Sequence, residues 1–426
     1  MKNNFFFVKL PSYLIILIPF LLISGSFLPD LAVSICALIF IVNTIKNSLN
    51  SYYDNKFVKY FFIFWFILIV SSLLSDHLFY SFFKSFVYVR FLLFSLCLWF
   101  LLDENENLLK YIFYSFLFCF LILIFDGYFQ FFVERNILGW PLIDSRVSSL
   151  FKDELILGSY FSRVFPIFFA IYIWLSSQKI ILKKYDNFFI FLIIFLFICI
   201  DILIFLSGER VALFYLNLFS IFVIFFIPSY KKIRIFTILI SILIIFSISI
   251  FKSSFSDRVF GKTLYQLSNN YESTLNEDLL KKDKIYVFSK EHEDHYKSAV
   301  LMFLDNKIFG IGPYGFKKNC HLDKYKTSTE SCSTHPHNTY IQILAELGIL
   351  GMFFVLFVFI SFMFYLLKNL FYKKIFTDFQ VGLLSCFLIT LWPFIPTGSF
   401  FNNWLSVIYY YPLGIFIWSC NLKKKE

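Results

Sequence analysis

From Asn187 to Leu206 the chain reads NFFIFLIIFLFICIDILIFL, twenty residues with one charged side chain, Asp201. A helix needs roughly 20 apolar residues to cross the hydrocarbon of a bilayer. Outward from this segment the same rule predicts helices at 11–27, 31–46, 57–74, 85–102, 109–132 and 159–177 on the N-terminal side. On the C-terminal side it predicts 210–227, 234–251, 339–367, 377–396 and 401–420. Of the whole sequence, 59% is apolar and 15% charged, which excludes a water-soluble globular domain of this size. The predicted fold is an all-α integral membrane protein with about twelve transmembrane helices.

The net charge of +10 does not point to nucleic acid, because the basic residues fall in short clusters between apolar runs. With the N-terminus inside, eighteen Lys or Arg occupy cytoplasmic segments, against five in the short outer loops: Lys84, Arg135, Arg146, Lys152 and Arg210. This positive-inside bias predicts that both termini are cytoplasmic and that 252–336 is outside, as one large loop between helices nine and ten. The chain then divides into helices one to nine over 1–251, a loop or cap over 252–336, and helices ten to twelve over 337–426. Connections of that length are functional or disordered. Within it, Ala299 to Leu304 looks helical and Gly310-Ile311-Gly312-Pro313-Tyr314-Gly315 is a turn-rich break. No internal repeat is evident, which weakens a transporter reading. Six of the eight cysteines lie in or at the ends of apolar spans; Cys320 and Cys332 do not, and a disulfide between them is expected. The loop histidines lack zinc-site spacing, so neither a metal nor another cofactor is expected.

The sharpest motif is Ser333-Thr334-His335-Pro336-His337-Asn338-Thr339-Tyr340, where the outer loop re-enters the membrane. A helix start there offers unpaired N–H groups to an anion such as a diphosphate. The same dipole end disfavours an imidazolium, so a neutral His337 is suited to act as general base on a hydroxyl. Asn338, Gln342 and Glu346 follow at i+4 spacing as a polar stripe that must face protein or water. Gly348 and Gly351 are expected to allow close helix packing. The plainer alternative makes Asn338 a helix cap and gives Glu346 a structural partner.

Ser207-Gly208-Glu209-Arg210 forms a tight outward hairpin whose guanidinium can clamp phosphate oxygens or, alternatively, snorkel to lipid headgroups. A third cluster runs from Arg146 through Lys152, Asp153 and Glu154 to Arg163. Arg146 is the candidate substrate ligand there, and Arg163, inside an apolar run, is expected to pair with Glu154 or Glu346. Arg90 reads as structural, whereas Asp126 and Asp201 carry no assignment.

These residues resemble the O-antigen ligase and polymerase superfamily. His337-Asn338, nine intervening residues and then Gly348-x-x-Gly351 fits that family's hallmark, and the string Thr334 to Gln342 with Ala345-Glu346 matches closely. Ser207 to Arg210 resembles its small-residue-plus-arginine hairpin, Phe309-Gly310-Ile311-Gly312 with Phe316 its glycine-rich element, and Phe151 to Arg163 its acidic outer loop. Helices one to four match only in hydrophobicity. The resemblance implies a metal-independent, inverting glycosyltransferase of the bacterial inner membrane. It would move a glycan from an undecaprenyl-diphosphate carrier to an acceptor hydroxyl at a periplasmic active site. By that analogy His337 activates the acceptor and Arg210 with a second outer arginine holds the leaving diphosphate. Arg258, His292 or His295 is the second basic group; His335, Asn338, Gln342, Glu346, Arg146 and Arg163 complete the expected substrate site. Ligase action would use lipid A core as acceptor, and polymerase action a growing glycan on its carrier. A protein-directed oligosaccharyltransferase is a third alternative, and a lipid-glycan flippase is the rival from another class.

Overall fold

In the computed structural model the described residues are 5–178, 186–261, 264, 289–372 and 374–422. Lys2, Lys179, Lys183, Lys184, Lys373, Lys423, Lys424 and Lys425 of the charge count lie outside them, as do residues 265–288 of the predicted cap. The principal helices are α1 (Leu10–Leu21), α2 (Phe27–Asn47), α3 (Lys56–Leu73), α4 (Leu78–Val87), α5 (Val89–Glu104), α6 (Leu108–Val133) and α7 (Leu157–Ser177). They continue as α8 (Asp186–Leu206), α9 (Arg210–Phe226), α10 (Lys231–Phe251), α11 (Lys290–Asp305), α12 (Thr339–Phe371), α13 (Asp378–Thr390) and α14 (Asn403–Leu422). Among the described residues there is no β-strand, only two isolated bridges near Arg146.

Among the described residues, ten helical segments are long and apolar enough to cross a membrane, and the shorter α9 and α13 are apolar too. Each of these overlaps one of the predicted segments. The protein is an all-α, multi-pass membrane protein. Predicted helix four is a bent pair, α4 and α5, joined at Tyr88.

The core is aromatic and aliphatic. In α5 every residue from Phe91 to Leu102 is buried, between neighbours that include α2 and α14. By contrast α10 presents Phe236, Leu239, Leu243, Phe246 and Ile250 outward. An outward apolar face of this extent suits contact with lipid.

Two charge pairs lock the bundle. Arg90 meets Asp30 at 2.8 Å and donates to Asn403 at 3.1 Å, tying α5 to α2 and α14. Arg234, counted among the cytoplasmic basic residues, is in fact 1% exposed and forms a two-pronged pair with Asp201 at 2.8 and 3.0 Å. Ser220 and Ser241 complete this network, so Asp201 joins α8 to α10. A guanidinium this deep needs such a set of acceptors to offset its desolvation.

The long helix α12 is broken at Gly348, where φ is +64° and ψ −160°. There Ile311 N and Gly312 N donate to the carbonyls of Ala345 and Glu346, at 3.0 and 2.9 Å. Ile349 N and Leu350 N donate to Lys307 and Ile308, at 2.8 and 3.4 Å. The glycine-rich loop thus replaces the helix's own bonds across the break. A Cβ on Gly310 would overlap the Glu346 backbone, and one on Gly348 would overlap the Ile308 carbonyl. Gly348 therefore serves a backbone break and not the helix packing expected of it.

Candidate active site

The loops between α6 and α7, α8 and α9, α10 and α12, and α13 and α14 meet at one end of the bundle. Asp126 and Gln130 of α6 hold the first of them. The Asp126 carboxylate accepts from Ile137 N at 2.9 Å and the Ser149 hydroxyl at 2.6 Å, and Gln130 Oε1 accepts from Ser148 N and Ser149 N. This sets Arg146 beside the α8–α9 hairpin, where its Nε donates to the Ser207 carbonyl at 2.7 Å and one Nη to Leu155 at 2.9 Å.

Gly208, at φ +66°, is the floor of an arginine cluster. A Cβ there would lie 3.0 Å from Cγ of both Arg146 and Arg258, so the two stems pass on either side of it. Arg210, which begins α9 and is exposed, lies within electrostatic reach of Arg258. Burial lowers the pKa of Arg146; Glu209 opposes that shift and Arg258 adds to it. Glu209 accepts from Gly158 N at 2.7 Å and the Ser159 hydroxyl at 2.5 Å, fixing the hairpin against the start of α7. Three guanidiniums in this space, against the carboxylates of Asp144 and of Glu209, which is committed to the scaffold, leave a net positive field suited to a polyanion.

Beside it stand four imidazoles. The His337 ring is 4.1 Å from His335, 5.1 Å from His292 and 5.3 Å from His295, between centroids. His292 lies within electrostatic reach of Arg210 and so links the two clusters. His337 has φ +56°, a left-handed conformation costing about 1–2 kcal/mol in a residue with a Cβ. The strain is held in place by its carbonyl, which accepts from Thr397 N at 2.8 Å. His335 Nε2 faces the Thr397 carbonyl at 3.1 Å and so carries the proton, while Nδ1 accepts from the Thr334 hydroxyl at 2.9 Å. Burial, reinforced by His292 and His295, brings the His335 pKa down to about 4. Burial and then the three neighbouring rings lower that of His337 to about 3. Both are neutral at physiological pH. Among the described residues the His337 ring makes no hydrogen bond, so its lone pair is available to a hydroxyl.

The polar stripe of α12 does different work from that expected. Asn338 Oδ1 accepts from Tyr340 N and Ile341 N, at 2.9 and 3.1 Å, and Nδ2 donates to Pro393 and Ile395. All four of its hydrogen-bonding positions are used, and the helix start is capped instead of open to an anion. Gln342 donates to Glu346 and Ser399 and accepts from Phe400 N. Glu346, 1% exposed, accepts from Phe316 N at 3.2 Å. These residues hold the glycine-rich loop and the α13–α14 connection. Arg163 has no carboxylate partner among the described residues; its guanidinium stacks on Tyr215 at 4.6 Å, because an aromatic face supplies the charge stabilisation expected from an acid. Cys320 and Cys332 are joined in a disulfide beneath the segment leading to His335.

Sequence reasoning missed Ser71, Ser75 and Ser81, whose hydroxyls donate to Phe309, Ile311 and Pro313 and clamp the loop from α3 and α4. Thr397, the anchor of both His335 and His337, was missed as well.

Residues 192–356 match the family model described as O-antigen ligase. This span is similar to the O-antigen ligase family. The matched span runs from within α8 to within α12 and contains Arg210, Arg258 and the four clustered histidines, whereas Arg146 and Arg163 precede it. The match supports the O-antigen ligase superfamily. No curated protein matches the chain.

Proposed function

We propose that this O-antigen ligase family protein moves a glycan from an undecaprenyl-diphosphate carrier to a hydroxyl of lipid A core, at the periplasmic side of the inner membrane. The observation that carries the reading is the pairing of an arginine cluster with a neutral, unbonded imidazole at the same end of the bundle, linked by His292. Arg210, Arg258 and Arg146 hold the diphosphate and stabilise the charge that grows on it as the glycosidic C–O bond breaks. His337 removes the proton of the acceptor hydroxyl, whose oxygen attacks the anomeric carbon from the face opposite the diphosphate and inverts it. Charge on the leaving group is delocalised over the guanidiniums, so no metal ion is required in this scheme. The gene-deletion strain complemented with His337→Ala or Arg210→Ala is expected to lack surface glycan while retaining the protein. Long chains left on the carrier mark the ligase step; single repeats on the core assign polymerase action instead. Normal surface glycan in either variant refutes the assignment.

A further inference from the structure

His295 is 7% exposed, and its Nδ1 is buried with no hydrogen-bond partner. A buried imidazole nitrogen left unpaired costs free energy unless its lone pair has a use. Its ring centroid lies 5.3 Å from that of His337, so rotating either ring about its Cβ–Cγ bond can bring a nitrogen of one to hydrogen-bond distance of a nitrogen of the other. On the same helix, Asp294 Oδ2 and Ser298 Oγ are also buried and unpaired.

We infer that His295 receives, from His337, the proton that His337 removes from the acceptor hydroxyl. This rests on the reading of His337 as general base. The balance is complete: the acceptor oxygen bonds to the anomeric carbon as the bond to the diphosphate oxygen breaks, and that electron pair leaves on the carrier. The hydroxyl proton moves to His337 and then to Nδ1 of His295, which restores neutral His337. His295 touches no substrate; it acts through His337.

The surroundings give the transfer its direction. His337 is faced by His335, His292 and His295, all of which disfavour its charge. His292 is faced by His295 and Arg210, with the same effect. Burial lowers the pKa of His295, but the Glu330 backbone and the carboxylates of Glu291, Asp294 and Glu330 oppose the shift. Lys297, paired to Asp294 at 3.1 Å, is half-exposed. His295 is thus the ring of this group best placed to hold a proton.

The test uses full-length protein in detergent with the polyprenyl-diphosphate glycan and core acceptor extracted from the deletion strain. His295→Gln is expected to slow transfer about 10- to 100-fold with the carrier KM unchanged, and free imidazole is expected to restore the rate. A rate equal to wild type across the pH range, or a deficit that imidazole does not restore, overturns the relay. In the wild-type protein labelled with 15N-histidine, the His295 ring is expected to take up its proton at higher pH than the His337 ring, read by NMR; the reverse order also overturns it. Full activity in His337→Ala, by contrast, removes the general-base reading itself.

Discussion

Gly348→Ala is the most informative perturbation of the scaffold. The position combines φ +64° with ψ −160°, a region open almost only to glycine, and forcing alanine into it costs about 1–3 kcal/mol. The added methyl also overlaps the Ile308 carbonyl, so the loop 307–312 must lift. Lifting it breaks four backbone bonds, each worth about 0.5–1.5 kcal/mol, or about 2–6 kcal/mol together. Gly25 supplies the control, because its φ of +99° and ψ of −157° lie in the same region while nothing stands within 4 Å of its would-be Cβ. Gly25→Ala therefore carries the conformational cost alone. Thermal unfolding of both full-length variants in detergent measures the difference, and surface glycan in complemented cells reports whether the loop still supports the site. Gly348→Ala is expected to melt well below Gly25→Ala and to lose glycan. Equal melting temperatures would refute the account of the loop as a replacement for the broken helix bonds.

The histidine site sets the acid limit. His337 and His335 are held at about 3 and about 4 by burial and by repulsion from neighbouring imidazoles, against about 6.5 for an imidazole in the unfolded chain. The folded state binds fewer protons, so this contribution is complete above about pH 6.5 and is lost as pH falls toward the folded values. Melting temperature should decline across that window, with a shallower slope in His337→Gln; a rise toward acid would contradict it. Replacing Cys320 and Cys332 together by Ser should cost about 3 kcal/mol for a loop of this length and reduce transfer by loosening the approach to His335, both read on purified protein. Asp201→Leu alone should cost about 3–5 kcal/mol by stranding Arg234, whereas the double variant Asp201→Leu with Arg234→Leu should melt closer to wild type.

The apolar runs were legible because lipid imposes one length and one composition on every crossing. The His337 motif was legible because its residue types and spacing are specific. What escaped the sequence is what depends on contacts between distant segments. Serines in apolar helices usually bond their own preceding turn, so nothing marked Ser71 and Ser75 as donors to a loop more than two hundred residues away. Arg234 follows Lys231 and Lys232 and reads as part of a surface cluster, since depth along a helix is not encoded in neighbouring residue types. The polar stripe of Asn338, Gln342 and Glu346 was visible, but its direction was not. Each side chain is taken up by the loops that α12 supports, and the arginines at Gly208 provide the positive charge that the helix start was expected to give. Arg163 followed the rule that an intramembrane charge needs a partner, with an aromatic ring as the partner in a chain rich in them.

The central claim is chemical transfer by the His337 and arginine site. Purified full-length protein in detergent, where no two sides exist, can be given polyprenyl-diphosphate-linked glycan and core acceptor, with the joined product read on a gel. Joined product from the wild type, none from His337→Ala and none from Arg210→Ala is the predicted result. Absence of product from a folded wild-type protein, or equal product from the His337→Ala protein, would contradict it.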